Sequence, residues 1–233
     1  MMKRFFAIAL FVLGLGQLYA QPVRDTAWTK AGYFGLKLTQ VSLSSWSAGG
    51  ESALAFDSQI TYSADFKRDR QLWQNRLELG YGLTKNDGKS ARKTNDKIYF
   101  ASTYGYQIYK TLYWSALLNF NTQFAKGYDY NIEDSDFISK FMAPGYLMIG
   151  TGVTWSPNKI FTATFTPASW RGTIVADSRL SDEGAFGVDK GKHLLFEFGA
   201  NLKAEVNYEF LPNMKVYSRL ELYSNYLEDP QNV

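Results

Sequence analysis

The sequence contains no cysteine and a single histidine, His193, among its 233 residues. Without cysteine there is no disulfide framework, no thiolate chemistry and no lipid-modified cysteine to anchor the chain. Long apolar runs are scarce as well. The one candidate, Phe5 to Leu15, is shorter than the roughly 20 apolar residues of a spanning helix, and no later segment reaches that length. A dominant charge is also missing: the formal net charge of +3 falls to +1 once Lys3 and Arg4 are set aside. That balance gives no reason to expect nucleic acid as a partner.

What is present has a pattern. The opening MMKRFFAIALFVLGLGQLYA places Lys3 and Arg4 before the apolar run and small Ala20 after it. This is the layout of a secretory signal peptide over 1–20, leaving a short periplasmic segment at 21–31 and an exported chain. Aromatic residues make up 17% of the sequence, yet the average hydropathy is below zero. Long alternating strands reconcile those two facts better than a conventional core does. HLLFEFGANLKAEVNYEF, residues 193–210, is the clearest case. Its even positions, among them Phe196, Phe198, Leu202 and Val206, are apolar, and its odd positions carry Glu197, Lys203, Glu205 and Glu209. A period of two marks a strand with one apolar and one polar face.

Nine such strands are predicted, at 32–43, 51–65, 71–84, 97–109, 111–125, 145–156, 159–169, 192–210 and 214–227. Most match the roughly 9–11 tilted residues that cross an outer membrane. Short links (67–70, Lys110, 156–159, 211–213) alternate with long polar ones (85–96, 126–144, 171–191); the link through Trp46 to Gly50 is the exception. That asymmetry is the signature of an antiparallel up-and-down transmembrane β-barrel over 32–233. Trp73, Trp114 and Trp155 each lie close to a short link on the apolar parity, as an aromatic girdle at the membrane–water interface would. Trp46 and Trp170 fall near the opposite ends. A soluble β-sandwich would have shorter strands and no systematic loop asymmetry.

The polar parity then defines a lumen. It collects Lys37, Asp57, Arg76, Glu78, Glu197, Lys203, Glu205, Glu209, Lys215, Arg219 and Glu221, five positive against six negative, with bulky Tyr33, Tyr99, Tyr113, Tyr217 and Tyr223. Selective channels carry an excess of one sign, so a balanced, bulky interior suggests a salt-bridged plug. Charge pairing also sets the register of the last hairpin. With Phe210 opposite Met214, Glu209 meets Lys215, Glu205 meets Arg219 and Lys203 meets Glu221. A slip of one residue would turn one strand's charges towards lipid.

GLKLTQVSLSSWSAGGESALAFDSQI, residues 35–60, resembles an uncharacterised family of Bacteroidota outer-membrane barrels, a domain of unknown function. Gln40 to Glu51, a Gln followed by Trp-x-Ala-Gly-Gly-Glu, is the most specific part, and LYSNYLEDPQNV (222–233) is similar to the family's stretch before its last strands. The resemblance covers nearly all of the mature chain. It implies about three further strands after Val233 and a barrel of about twelve. Nine is odd, whereas bacterial single-chain barrels have even strand numbers, so a C-terminally incomplete barrel is expected. No activity comes with the resemblance.

Other candidate sites are weaker. His193 shares its inward row with Leu195 and Glu197 and no serine, so an ordinary rim histidine is expected unless an adjacent strand supplies a nucleophile. DYNIEDSD (129–136) clusters Asp129, Asn131, Glu133, Asp134 and Asp136, the oxygen ligands that calcium takes. It has Asp134 where a calcium loop needs glycine and Lys140 where it needs glutamate, so a solvated loop is expected and no metal or cofactor. The basic stretch from Lys85 to Lys97 suits lipopolysaccharide phosphates or simple solubility. The expected function is a non-enzymatic outer-membrane scaffold or accessory protein in contact with lipid and other outer-membrane proteins. A small diffusion channel for polar solutes is the alternative, and a lipid-modifying enzyme the third reading.

Overall fold

The structure is a computed structural model that describes residues 27–43, 50–132, 136–158, 160–212 and 214–228. The signal segment, Trp46, Glu133 and Asp134 lie outside the described residues. Along the chain come β1 (Trp28–Val41), β2 (Ala53–Arg68), β3 (Gln71–Asn86), β4 (Arg92–Tyr109) and β5 (Leu112–Thr122). Two short strands, β6 (Gly127–Tyr128) and β7 (Phe137–Ser139), pair with each other. Then follow β8 (Gly145–Trp155), β9 (Phe161–Ile174), the five-residue helix α1 (Ser178–Asp182), one 3-10 turn, β10 (Leu194–Leu211) and β11 (Met214–Asn225). No helix among the described residues is long and apolar enough to cross a membrane.

Nine strands form one antiparallel sheet in the order β1-β2-β3-β4-β5-β8-β9-β10-β11. Among the described residues β1 and β11 do not pair with each other, so the fold is an all-β antiparallel meander with two free edges, and barrel closure is not present. The sheet is nevertheless strongly curled. A cavity of about 810 Å³ is lined together by Ser63, Arg76, Glu78 and Tyr99 from β2–β4 and by Lys203, Glu205, Tyr217 and Arg219 from β10–β11. The last hairpin therefore stands across a trough from strands near the other edge.

β1 to β4 and β9 are longer than their hydrophobic pattern predicts, and β5, β8, β10 and β11 are shorter. β1 begins at Trp28, so part of the expected periplasmic segment belongs to the sheet. The link expected at 85–96 shrinks to 87–91, because β3 and β4 pair as far as Thr84 and Arg92. Polar residues at the rim sit in a ladder there because backbone pairing does not require apolar side chains. At the other end, two-residue hairpins turn through Asp69 and Lys110, both at positive φ.

β9 carries the main irregularity. Between Ser169 and Thr166 it spans one residue more than β10 does between Gly199 and Asn201, and β8 shows the same mismatch between Thr151 and Val153. The extra residue falls at Pro167-Ala168. Proline has no N–H to give to a ladder, and a bulge is where a central strand can hold it. Its consequence is a parity switch: Phe161 and Phe165 share a face with Trp170, not with Arg171.

Burial is inside out. On one face Leu38 is 69% exposed, Phe196 61% and Ile149 44%. On the other, Ser169 is 0% exposed and Asn201 2%, with Ser115 and Thr166 also buried. The concave face is the polar one. Its hydroxyls bond across strands: Ser115 Oγ donates to Thr154 Oγ1 at 2.8 Å, and Thr154 and Thr164 lie 3.0 Å apart.

Candidate functional site: the charged face and its loop cap

The strand registers place all eleven charges predicted for the lumen on the concave face. Lys37 opposes Asp57, Thr61 opposes Glu78 and Ser63 opposes Arg76. On the last hairpin Glu209 opposes Lys215, Glu205 opposes Arg219 and Lys203 opposes Glu221. The turn is tighter than the charge argument assumed. Leu211 opposes Met214, and a bulge between Glu209 and Leu211 restores the charge-pairing register above it.

The closest ion pairs run mostly along strands. Lys203 Nζ reaches Glu205 at 2.9 Å and Arg219 reaches Glu221 at 2.8 Å, whereas across the hairpin Lys215 and Glu209 are 3.6 Å apart. Alternate residues share a face, so i and i+2 are neighbours whenever both side chains are long. Glu78 takes two cations, Arg76 at 2.5 Å on its own strand and Lys97 at 2.5 Å on β4. Asp57 instead accepts from Asn95 Nδ2 at 3.0 Å. Tyr217 donates its hydroxyl to Glu205 at 2.7 Å.

Several charged residues on this face escaped the sequence reading, among them Lys67 opposite Leu72 and Arg92 opposite Thr84. Lys97 opposes Gly80 and Asp65 opposes Gln74; both follow from the parity of Tyr99 and Asp57. Arg171 falls in a predicted loop, and continuing the parity of Phe161 and Phe165 sends it to the apolar face. The bulge at Pro167 brings it inward, opposite Glu197 and Met148. Mid-strand proline was the signal.

Trp73, Trp114 and Trp155 lie on the convex face beside the short turns, each between 41% and 48% exposed. Trp28 joins them: its ring is 5.8 Å from Trp73 and 5.3 Å from Phe66. Next to this belt Asn75 is a polar residue on the apolar face. Its amide donates to the Ala64 carbonyl at 3.1 Å, while Ser102, which accepts from Trp73 Nε1 at 2.9 Å, donates to it at 2.8 Å.

The opposite end carries a folded cap in place of loose loops. Ala143, Val175, Leu180 and Val188 form a small apolar core, with Phe137, Phe186 and Leu195 against it. Asp177 caps α1 by accepting from the Leu180 N–H at 3.0 Å and pairs with Lys140 at 2.5 Å. The Lys140 ammonium and then that N–H hold its carboxyl below the usual aspartate value. Arg179 donates to the Phe137 carbonyl and to Glu183 at 2.7 Å, with its guanidinium 4.5 Å from the Phe137 ring. Asp96 ties the 123–144 connection to β4: it accepts from the Phe124 and Ala125 N–H groups at 2.7 and 2.9 Å and from Lys93 at 2.7 Å.

The weaker sequence candidates have local partners where they are described. His193 Nδ1 is 2.7 Å from the Val175 carbonyl, so that nitrogen donates and is committed to backbone. Asp129 accepts from the Asn131 N–H at 3.0 Å, and no metal-binding cluster occurs among the described residues. The basic stretch is largely tied down: Lys89 to Glu51 at 2.6 Å, Lys93 to Asp96, Lys97 to Glu78, and Arg92 over the Tyr130 ring at 5.2 Å. Glu51, the last residue of the family-like motif, is held below the usual glutamate value by Lys89 and then Asn86.

Residues 38–128 match a family described as Protein of unknown function (DUF3078). The match runs from the end of β1 to β6, less than half of the chain, and includes Glu51, Asp57, Arg76, Glu78 and Lys97. It supports an uncharacterised family and carries no activity. No curated protein and no solved structure matches the chain.

Proposed function

We propose that this chain is the larger part of a transmembrane β-barrel of a Bacteroidota outer membrane, exported by a signal peptide at 1–20, and that its interior is filled by its own charges and capped by its long connections. The observation that carries this reading is the inverted burial: exposed Leu38, Phe196 and Ile149 on the convex face against buried Ser169 and Asn201 within. Water is a poor solvent for such a face and hydrocarbon a good one. The hydrogen bonding of Asn75 supports it, since lipid offers polar groups no partner. The belt of Trp28, Trp73, Trp114 and Trp155 at the short-turn end fits an interface. In this reading the free edges of β1 and β11 are bridged by further strands, about three on the family resemblance, because an open edge in lipid leaves its N–H and C=O groups unmet.

The role that follows is a scaffold or accessory partner of other outer-membrane components, without catalysis. The cavity of about 810 Å³ favours the second reading, a narrow channel for polar solutes. Planar-bilayer recordings of the complete protein separate them. The filled interior predicts no stable large unitary current, and steady large currents would establish the channel.

A further inference from the structure

Among the described residues most charges of the concave face are in ion pairs; Lys37, Asp57 and Asp65 are not, and nor are Arg171 and Glu197, which share one cavity. They oppose each other across β9 and β10, yet neither belongs to an ion pair among the described residues. The Arg171 guanidinium carbon lies over the Tyr223 ring, 3.4 Å from its centre, a contact that leaves the N–H groups unsatisfied by carboxylate. Glu197 receives one long hydrogen bond, from Asn225 Nδ2 at 3.5 Å. The Tyr223 hydroxyl is buried without a hydrogen-bond partner. Both charges line a cavity of about 350 Å³, with Tyr99, Asn119, Asn121 and Tyr146 among its other walls. It sits at the end of the trough where β8, β9 and β10 enter the folded cap.

We infer that this cavity binds a small zwitterion of the amino-acid or short-peptide class, its carboxylate on Arg171 and its ammonium on Glu197. A planar, pre-oriented guanidinium is suited to bidentate carboxylate recognition, and a neighbouring carboxylate without a cation is the complement of an ammonium. The asparagines and tyrosines supply the neutral polar contacts that orient a ligand. The volume lies at the lower end of small-molecule sites, roughly 300–1,000 Å³. This inference stands on the interior geometry and does not require the barrel to be closed or non-conducting.

Isothermal titration of the complete protein in detergent tests it, with alanyl-alanine as the probe. Its C-terminal amide, its N-acetyl form and inorganic phosphate are the comparisons. The dipeptide should bind saturably, and Arg171→Gln should weaken it by about tenfold or more, the loss of a charged hydrogen-bond pair. Glu197→Gln should weaken the dipeptide but leave the N-acetyl form unchanged, a pattern that general misfolding would not give. Arg171→Lys, which keeps the charge and loses the fork, should fall between. No saturable binding, phosphate binding alone, or dipeptide binding indifferent to both glutamine variants would overturn the assignment. Conductance is read separately, so its outcome does not decide this one.

Discussion

Single residues hold the cap together. Asp177 serves both the start of α1 and Lys140. Because its carboxyl is held below the ordinary aspartate value, its contribution is fully present above that value. It is lost as pH falls through the lower folded value. Amide hydrogen exchange over 178–184 should therefore stay slow at pH 5 and accelerate only in strong acid. Asp177→Ala should raise exchange at neutral pH by about 1 kcal/mol of local opening, the usual worth of a helix N-cap, and the difference from wild type should close in strong acid. Exchange in that variant equal to wild type at pH 7 would show that the cap does not depend on this side chain. At this scale the sequence was legible wherever parity holds: Lys37, Asp57 and the hairpin charges all lie on the face their numbers give. Lys97 was equally readable from Tyr99. The cap was not, because its contacts join Lys140 to Asp177 and Phe137 to Arg179 across sequence distances that no local pattern records.

Among the elements, β9 is where local pattern and structure part. Apolar alternation from Phe161 to Phe165 fixes one face, and the extra residue at Pro167 exchanges the faces for everything after it. Deleting Pro167 should thus leave an unbroken alternation, with Thr166, Ser169 and Arg171 still inward and both ladders in register. An arginine turned to lipid would instead cost roughly 2–4 kcal/mol at the midplane and less near the interface. A urea titration of the lipid-inserted protein should show the deletion, and Pro167→Ala, which the bulge still accommodates, within about 1 kcal/mol of wild type. A deletion destabilised by the cost of an outward arginine would mean that the bulge at Pro167 does not set the faces. The β10–β11 hairpin is the opposite case. Opposed charges define its register strongly enough that a tighter turn is absorbed by a bulge next to Glu209 and the pairing above it is retained.

For the molecule as a whole, alternation and aromatic content made the all-β meander and its strand order readable. Loop lengths were less so. Pairing into the polar rim shortened the 85–96 link, and β6, β7 and α1 appear inside connections with no apolar period. Closure into a barrel is a property of both sheet edges, and those of β1 and β11 remain apart here. The central claim is that the convex face meets hydrocarbon and the concave face does not. The 233 residues contain no cysteine, so an introduced thiol is unique among them and the claim is directly testable. Spin labels at Phe196→Cys, Glu197→Cys, Phe198→Cys, Leu202→Cys, Lys203→Cys and Ala204→Cys would be compared in liposomes by their relaxation with oxygen, which concentrates in lipid, and with a water-soluble nickel chelate. The even positions should respond to oxygen and be shielded from nickel, with 197 and 203 showing no such preference. Nickel access at 198 and 202 equal to that at 197 and 203, with no period of two, would contradict the account.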